Sequence, residues 1–211
     1  MICSHCHYDH ILGIEDFTRH PRCGIWASSF DKSFLSLDDL PEHSLCKENG
    51  VPTPKYTVTD WAHDNVPVRD LSSKDLGLVS FHTPGHTPDS PSIFDPQERV
   101  LFVGDTISGW DLIIFSHEGN LVTYSQTMGK LSKLVRAWNE DASKRRVTIA
   151  SGHCNDVADA ASLIVDVSAF LLDVVDGNLE LKREEERRGE VRQLFGREGG
   201  GPSVLLPKRL I

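Results

Sequence analysis

His5-Cys6-His7-Tyr8-Asp9-His10 packs three imidazoles and a carboxylate into six residues. In an extended or tightly turned segment His5 and His7 point the same way, at period two, and can share one metal ion, while Asp9 and His10 can turn toward a second. The chain holds ten histidines in 211 residues, so chance has to be weighed. With His at roughly 5% and Asp at roughly 7%, a His-x-His-x-Asp-His match is expected about twice per thousand chains of this size. The motif needs further ligands, and the sequence supplies them: His86 in Thr83-Pro84-Gly85-His86-Thr87, Asp105 in Val103-Gly104-Asp105-Thr106 and His153 in Ser151-Gly152-His153. Each follows an extended apolar segment or a Gly-containing turn. That placement predicts ligands at strand ends along one rim of a sheet, where open sheets build their sites. Two carboxylates and five imidazoles make a hard-to-borderline donor set that suits zinc, with iron or manganese also fitting.

These four motifs, in this order, resemble the metallo-β-lactamase superfamily of dinuclear metallohydrolases. The resemblance implies that His5, His7 and His86 bind one zinc ion, that Asp9, His10 and His153 bind a second, and that Asp105 bridges them. It implies an α/β (alpha+beta) fold, the αββα four-layer sandwich, and hydrolysis by a metal-bound hydroxide. Asp9 and Asp105 are then the candidate catalytic residues, with Asp9 orienting the hydroxide or relaying a proton to the leaving group. Two divalent ions, two carboxylates and one hydroxide sum to about +1, so an acidic protein can still present an electropositive centre. The stretch Pro84-Gly85-His86-Thr87-Pro88-Asp89-Ser90 is more similar to the branch with acyl-coenzyme A thioesterase-like members than to glyoxalase II, whose Gly-Cys-Gly-Arg segment is not found after Asp105. A thioester is the favoured small-molecule substrate; a lactone or another activated ester needs the same groups. The alternatives are a mononuclear iron enzyme that oxidises a sulfur substrate and a non-catalytic remnant of the fold.

In this superfamily strands before the histidine cluster largely build the first sheet, and roughly 50 residues would hold several strands of the usual length. The cluster here begins at residue 5, so most of that sheet is expected to be lacking. Two explanations compete: a truncated product of a longer protein, or a homo-oligomer in which a partner copy supplies the missing surface. The expected organisation is a metallo-β-lactamase-like domain over 1–177, incomplete at its N-terminus, and a C-terminal extension over 178–211 that packs on it or trails it.

A formal charge of -9 argues against a nucleic-acid partner, which needs clustered Lys and Arg. The run Lys144-Arg145-Arg146 reads as a solvated loop before a strand. No apolar run approaches the roughly 18 to 20 residues of a membrane span, and no signal peptide is visible, so a cytoplasmic location and no membrane partner are expected. The five cysteines are odd in number and lack the two Cys-x-x-Cys pairs of a zinc ribbon, Cys3 and Cys6 making only one, which suggests reduced thiols.

Extended segments are expected at 2–4, 55–61, 78–82, 92–94 and 100–103, with a turn at Asp95-Pro96-Gln97-Glu98 that makes the last two a hairpin. Residues 11–17 read as a loop or helix, and 19–53 as mostly loop with short helices. Leu121, Tyr124, Met128, Leu131, Leu134, Val135 and Trp138 mark one face of a helix. A strand is expected at 147–150 and a second helix at 159–175 that stops at Asp176-Gly177. Residues 182–188 read as a charged helical or loop surface, and Val204-Leu205-Leu206 as a closing strand. Trp110, Phe115 and His117 are candidate substrate contacts. His20, His43, His63 and His82 read as surface or packed histidines, Cys6 as facing away from the metals, and Thr87 and Thr106 as hydrogen-bond partners of the ligands.

Overall fold

The computed structural model describes residues 1–154, 157–187 and 189–211. The chain forms two compact units, Met1–Thr83 with Pro88–Glu98, and Pro84–Thr87 with Arg99–Ile211.

In the first unit the backbone is extended up to His7 (φ -59°, ψ 148°) and turns helical at Tyr8. This is the change of direction that the histidine cluster requires. The short helices α1 (Tyr8–Ile11) and α2 (Ile14–Thr18) follow, each burying an isoleucine, Ile11 and Ile14. Strand β1 (Trp26–Ser28), a 3-10 turn (Ser33–Leu35) and helix α3 (Leu40–His43) lead to β2 (Asp60–Ala62), which pairs with β1 in parallel. Ile2 forms a single bridge to Trp26. Cys3, Cys6, Ile11, Ile14, Ile25, Ala27, Phe34, Leu35, Leu40 and Tyr56 make one apolar cluster, so the histidine-bearing segment rests on the unit's own core. Strands β3 (Val66–Arg69), β4 (Asp75–His82) and β5 (Pro91–Asp95) are antiparallel neighbours. Pro67 lies in β3, which is an edge strand, the place where a sheet tolerates proline. Asp95 Oδ1 accepts the backbone N–H groups of Gln97 and Glu98, the turn expected from the sequence.

In the second unit β6 (Val100–Gly104) pairs in parallel with β8 (Thr148–Ser151), and β8 pairs antiparallel with β9 (Val157–Asp159). Between β6 and β8 lie strand β7 (Leu112–Ile114) and helix α4 (Leu121–Trp138). The helix starts where Asn120 accepts the Thr123 N–H, and its buried face is Tyr124, Thr127, Met128, Leu131 and Val135, each large apolar side chain contributing about 1.5–3 kcal/mol. Helix α5 (Ala160–Val175) is capped by Asp159. It ends in a Schellman turn, with the Gly177 N–H on the Val174 carbonyl and the Asn178 N–H on that of Asp173; Gly177 has φ +72°, a conformation glycine adopts without a Cβ penalty. The sheet β10 (Arg183–Arg187), β11 (Glu190–Gly196), β12 (Ser203–Pro207) closes on β7.

Two expectations are corrected. Residues 182–188 read as helix or loop, but 183–187 form the strand β10, paired antiparallel with β11; Arg188 lies outside the described residues. A run of Arg and Glu suits an edge strand because charge blocks pairing with another chain. Over 55–61 only Asp60 and Trp61 join a strand. Among the described residues no helix is long and apolar enough to cross a membrane.

Candidate functional site

Within the first unit, His5 and His7 are buried, at 1% and 7% exposure. Nε2 of His5 lies 3.0 Å from Nδ1 of His7. His10 stacks at a tilt against His5, ring centroids 4.1 Å apart, and its Nε2 is 3.7 Å from Asp9 Oδ2. One residue the sequence reading passed over organises the group. Ser4 Oγ sits 3.3 Å from His5 Nδ1 and 3.2 Å from His10 Nδ1. A hydroxyl oxygen can accept from both Nδ1–H groups, which leaves both Nε2 lone pairs for a metal ion; fixing the tautomer through the far ring nitrogen is how proteins orient imidazole ligands. Cys6, fully buried in the apolar cluster, packs as a small hydrophobe. Burial, and then the Asp89 carboxylate, push the Cys3 thiol up to about 12, so it too is an inert thiol at neutral pH.

Within the second unit, Asp105 follows β6 directly and His153 follows β8 by two residues. Asp105 Oδ2 is 3.2 Å from His153 Nε2. The turns behind them are tied together by the Gly152 N–H, which donates to the Gly104 carbonyl at 2.8 Å. His153 itself has φ +58°, a left-handed conformation uncommon outside glycine. His86, 2% exposed, sits on a loop clamped to the start of α4. The Asn120 N–H donates to the Gly85 carbonyl at 2.9 Å, and the Thr127 hydroxyl donates to that of Pro84 at 2.6 Å. Gly85 has φ +139°, and a Cβ there would stand 2.5 Å from the Tyr124 Cα. The Tyr124 hydroxyl in turn donates to the carbonyl of Thr106, next to Asp105. Burial pushes the Tyr124 phenol above its ordinary range, so it remains a donor. Tyr124 thus joins the His86 loop to the Asp105 turn, a role hidden in the sequence by its place in an apolar helical stripe.

The expected support from Thr106 takes a different form: its buried hydroxyl has no partner among the described residues, and its carbonyl carries the link. Phe115, expected as a substrate contact, is wholly buried and packs edge-on against Tyr124. Trp110 is exposed. His117 is exposed beside Glu190, and its carbonyl accepts from Arg209. His43 stacks on Phe34 with centroids 3.9 Å apart, a packed histidine as expected.

A family model for the metallo-beta-lactamase superfamily matches residues 1–151. The chain belongs to the metallo-β-lactamase superfamily. It is 28% identical over 203 residues to the putative transcription factor avaE of Aspergillus versicolor, covering 94% of this chain and 60% of that protein. It is 26% identical over 108 residues to the hydroxyacylglutathione hydrolase GloC of Haemophilus influenzae, covering 51% of this chain and 49% of the relative. The chain therefore spans 60% and 49% of the lengths of these curated relatives. Among solved structures, the di-iron-bound form of TTHA1623 superposes with a TM-score of 0.57 at 16% identity, over 75% of this chain and 71% of that one. The B3 metallo-β-lactamase BLEG-1 does so with 0.58 at 19% identity, over 75% and 70%. These two share the mixed α+β superfamily fold with this chain.

Proposed function

We propose that this chain is a two-metal hydrolase acting on a thioester or a closely related activated carbonyl, with His5, His7 and His86 on one ion, Asp9, His10 and His153 on the other, and Asp105 on both. The observation that carries this reading is the arrangement of donors inside each unit. Ligand nitrogens of His5 and His7 lie 3.0 Å apart, and a carboxylate oxygen and a ring nitrogen of Asp105 and His153 lie 3.2 Å apart. In the first unit the donor atoms of His5 and His10, and those of Asp9 and His10, also fall within 4.8 Å of each other. Nitrogen and oxygen donors this close fit a borderline divalent ion, zinc in the first place and iron or manganese next.

When bound, such ions acidify a water molecule to a pKa of about 7 and polarise a carbonyl group. The chain's own residues supply the rest. Ser4 fixes the tautomers of His5 and His10. Asp9, its side chain 33% exposed, would orient a nucleophilic water or relay a proton from it to the leaving group. Asp105, held by the Gly104 and Thr106 backbone links, keeps its carboxylate fixed. The thioester reading is supported by GloC and by two further relatives named hydroxyacylglutathione hydrolases, from Francisella tularensis and Legionella pneumophila. The Asp105-Thr106-Ile107-Ser108-Gly109-Trp110 segment departs from the glyoxalase II pattern and leaves the acyl carrier open.

Metal content of purified protein, followed by hydrolysis of acyl-coenzyme A thioesters, glutathione thioesters and lactones, tests this reading. Two equivalents of metal with turnover of at least one thioester are expected. One equivalent of iron with oxygen uptake would replace it with sulfur oxidation, and no metal at all would leave a non-catalytic member of the fold. Asp105→Ala should lose metal and activity together, whereas His43→Ala should keep both.

A further inference from the structure

We propose that Ser29, His63 and His82 form a separate, mononuclear site for a borderline divalent transition ion, zinc being the ion to test. All three belong to the first unit and stand at strand ends: Ser29 follows β1, His63 follows β2 and His82 closes β4. Ser29 Oγ lies 2.9 Å from His63 Nδ1 and 3.2 Å from His82 Nε2. The Ala62 carbonyl oxygen lies 2.9 Å from the same His82 Nε2. Ser29 Oγ thus links two imidazole nitrogens, and a carbonyl oxygen stands beside one of them, an N2O2 set of the kind that imidazole-preferring divalent ions accept.

The fold holds this group by means unrelated to the superfamily ligands. The parallel register pairs Ser28 with Ala62, which sets Ser29 and His63 side by side, and the Ser29 N–H donates to the Ala62 carbonyl at 3.0 Å. Phe30 meets the His82 ring edge-on, centroids 5.7 Å apart at 82°. Asp64 Oδ1 accepts the His82 backbone N–H at 2.9 Å, which fixes the backbone that carries the ring. His63 is exposed, so an ion can enter from solvent. Without an ion, the Ser29 hydroxyl can donate to His63 Nδ1 and His82 Nε2–H to the Ala62 carbonyl. Binding requires that His82 take the Nδ1–H tautomer and that the Ser29 hydroxyl proton turn away from His63 Nδ1.

The experiment is a zinc titration of the metal-free full chain, read by calorimetry and by elemental analysis after desalting, for wild type, His63→Gln, His82→Gln and Asp105→Ala. His63→Gln and His82→Gln should each bind one zinc fewer than wild type, and the exposed His63→Gln variant should keep the wild-type melting temperature in the absence of zinc. A zinc count in His63→Gln equal to that of wild type overturns the site, whatever His82→Gln does. Zinc lost on Asp105→Ala reports the superfamily ligands instead, so the two assignments succeed or fail separately. If wild type binds a single zinc that His63→Gln removes, the N2O2 site stands and the two-metal reading falls.

Discussion

At the residue scale the proposed site depends on side chains that are not themselves metal donors. Ser4 satisfies two imidazoles with one hydroxyl, so Ser4→Ala should weaken zinc binding by roughly tenfold or more, the usual effect of removing such a partner; a competitive chelator titration measures it, and unchanged affinity would remove Ser4 from the site. Tyr124→Phe deletes the phenol that reaches the Thr106 carbonyl and leaves that acceptor buried, a loss of about 1–3 kcal/mol that denaturant unfolding can read. Because the same bond steadies the turn carrying Asp105, turnover should fall while the helix content stays the same. Gly85→Ala should be worse tolerated than either. Its Cβ would meet backbone rather than a side chain that can move aside, so the His86 loop would have to lift off α4, and loss of metal from the folded protein is the expected result.

At the element scale α5 shows how one side chain can serve two structures. Asp159 accepts the Ser162 N–H at the helix start and pairs with Arg146 at 2.6 Å. The Arg146 bond, more than the cap itself, lowers the Asp159 carboxyl to about 2 from its ordinary 3.8. A carboxyl whose pKa is depressed by folding stabilises the native state above its unfolded pKa, and that contribution fades as pH falls from about 4 toward 2. Asp159→Ala should therefore lose about 1 kcal/mol at neutral pH, the usual worth of a cap. Its unfolding free energy should converge with that of wild type in acid; a constant gap down to pH 2 would show that the charge is irrelevant. The helices and the ligand-bearing strands were legible in the sequence because each is written locally: an apolar stripe every three or four residues, an Asp-Gly stop, a β-branched run ending at a ligand. The seven candidate donors stood out for the same reason, each within a short motif. What escaped was decided by partners distant in sequence. Arg183–Arg187 carries no alternation of apolar and polar residues and is a strand because β11 offers it a ladder. Ser4 and Tyr124 have no motif, and only the fold shows what they hold.

At the scale of the whole molecule, bound metal should contribute directly to stability. At a free zinc concentration of 100 times Kd each occupied site adds about 2.7 kcal/mol, which for a chain of this length corresponds to a rise in Tm of roughly 5–10 °C per site. Scanning calorimetry before and after treatment with a chelator measures it, and an unchanged Tm would mean that the folded chain holds no ion tightly. The route of the chain has a separate consequence. The second unit takes its first four residues, Pro84–Thr87, from the middle of the first, so neither unit corresponds to an excisable length of gene. A fragment of residues 99–211 would carry α4 without the loop that covers Tyr124 and accepts from Asn120 and Thr127. Its helix would start with unanswered donors and an uncovered aromatic. Such a fragment should bind a synthetic peptide spanning residues 84–87 weakly at best, because four residues bring little area against the entropy of ordering them, so dissection of this protein by truncation is expected to fail where point substitution succeeds.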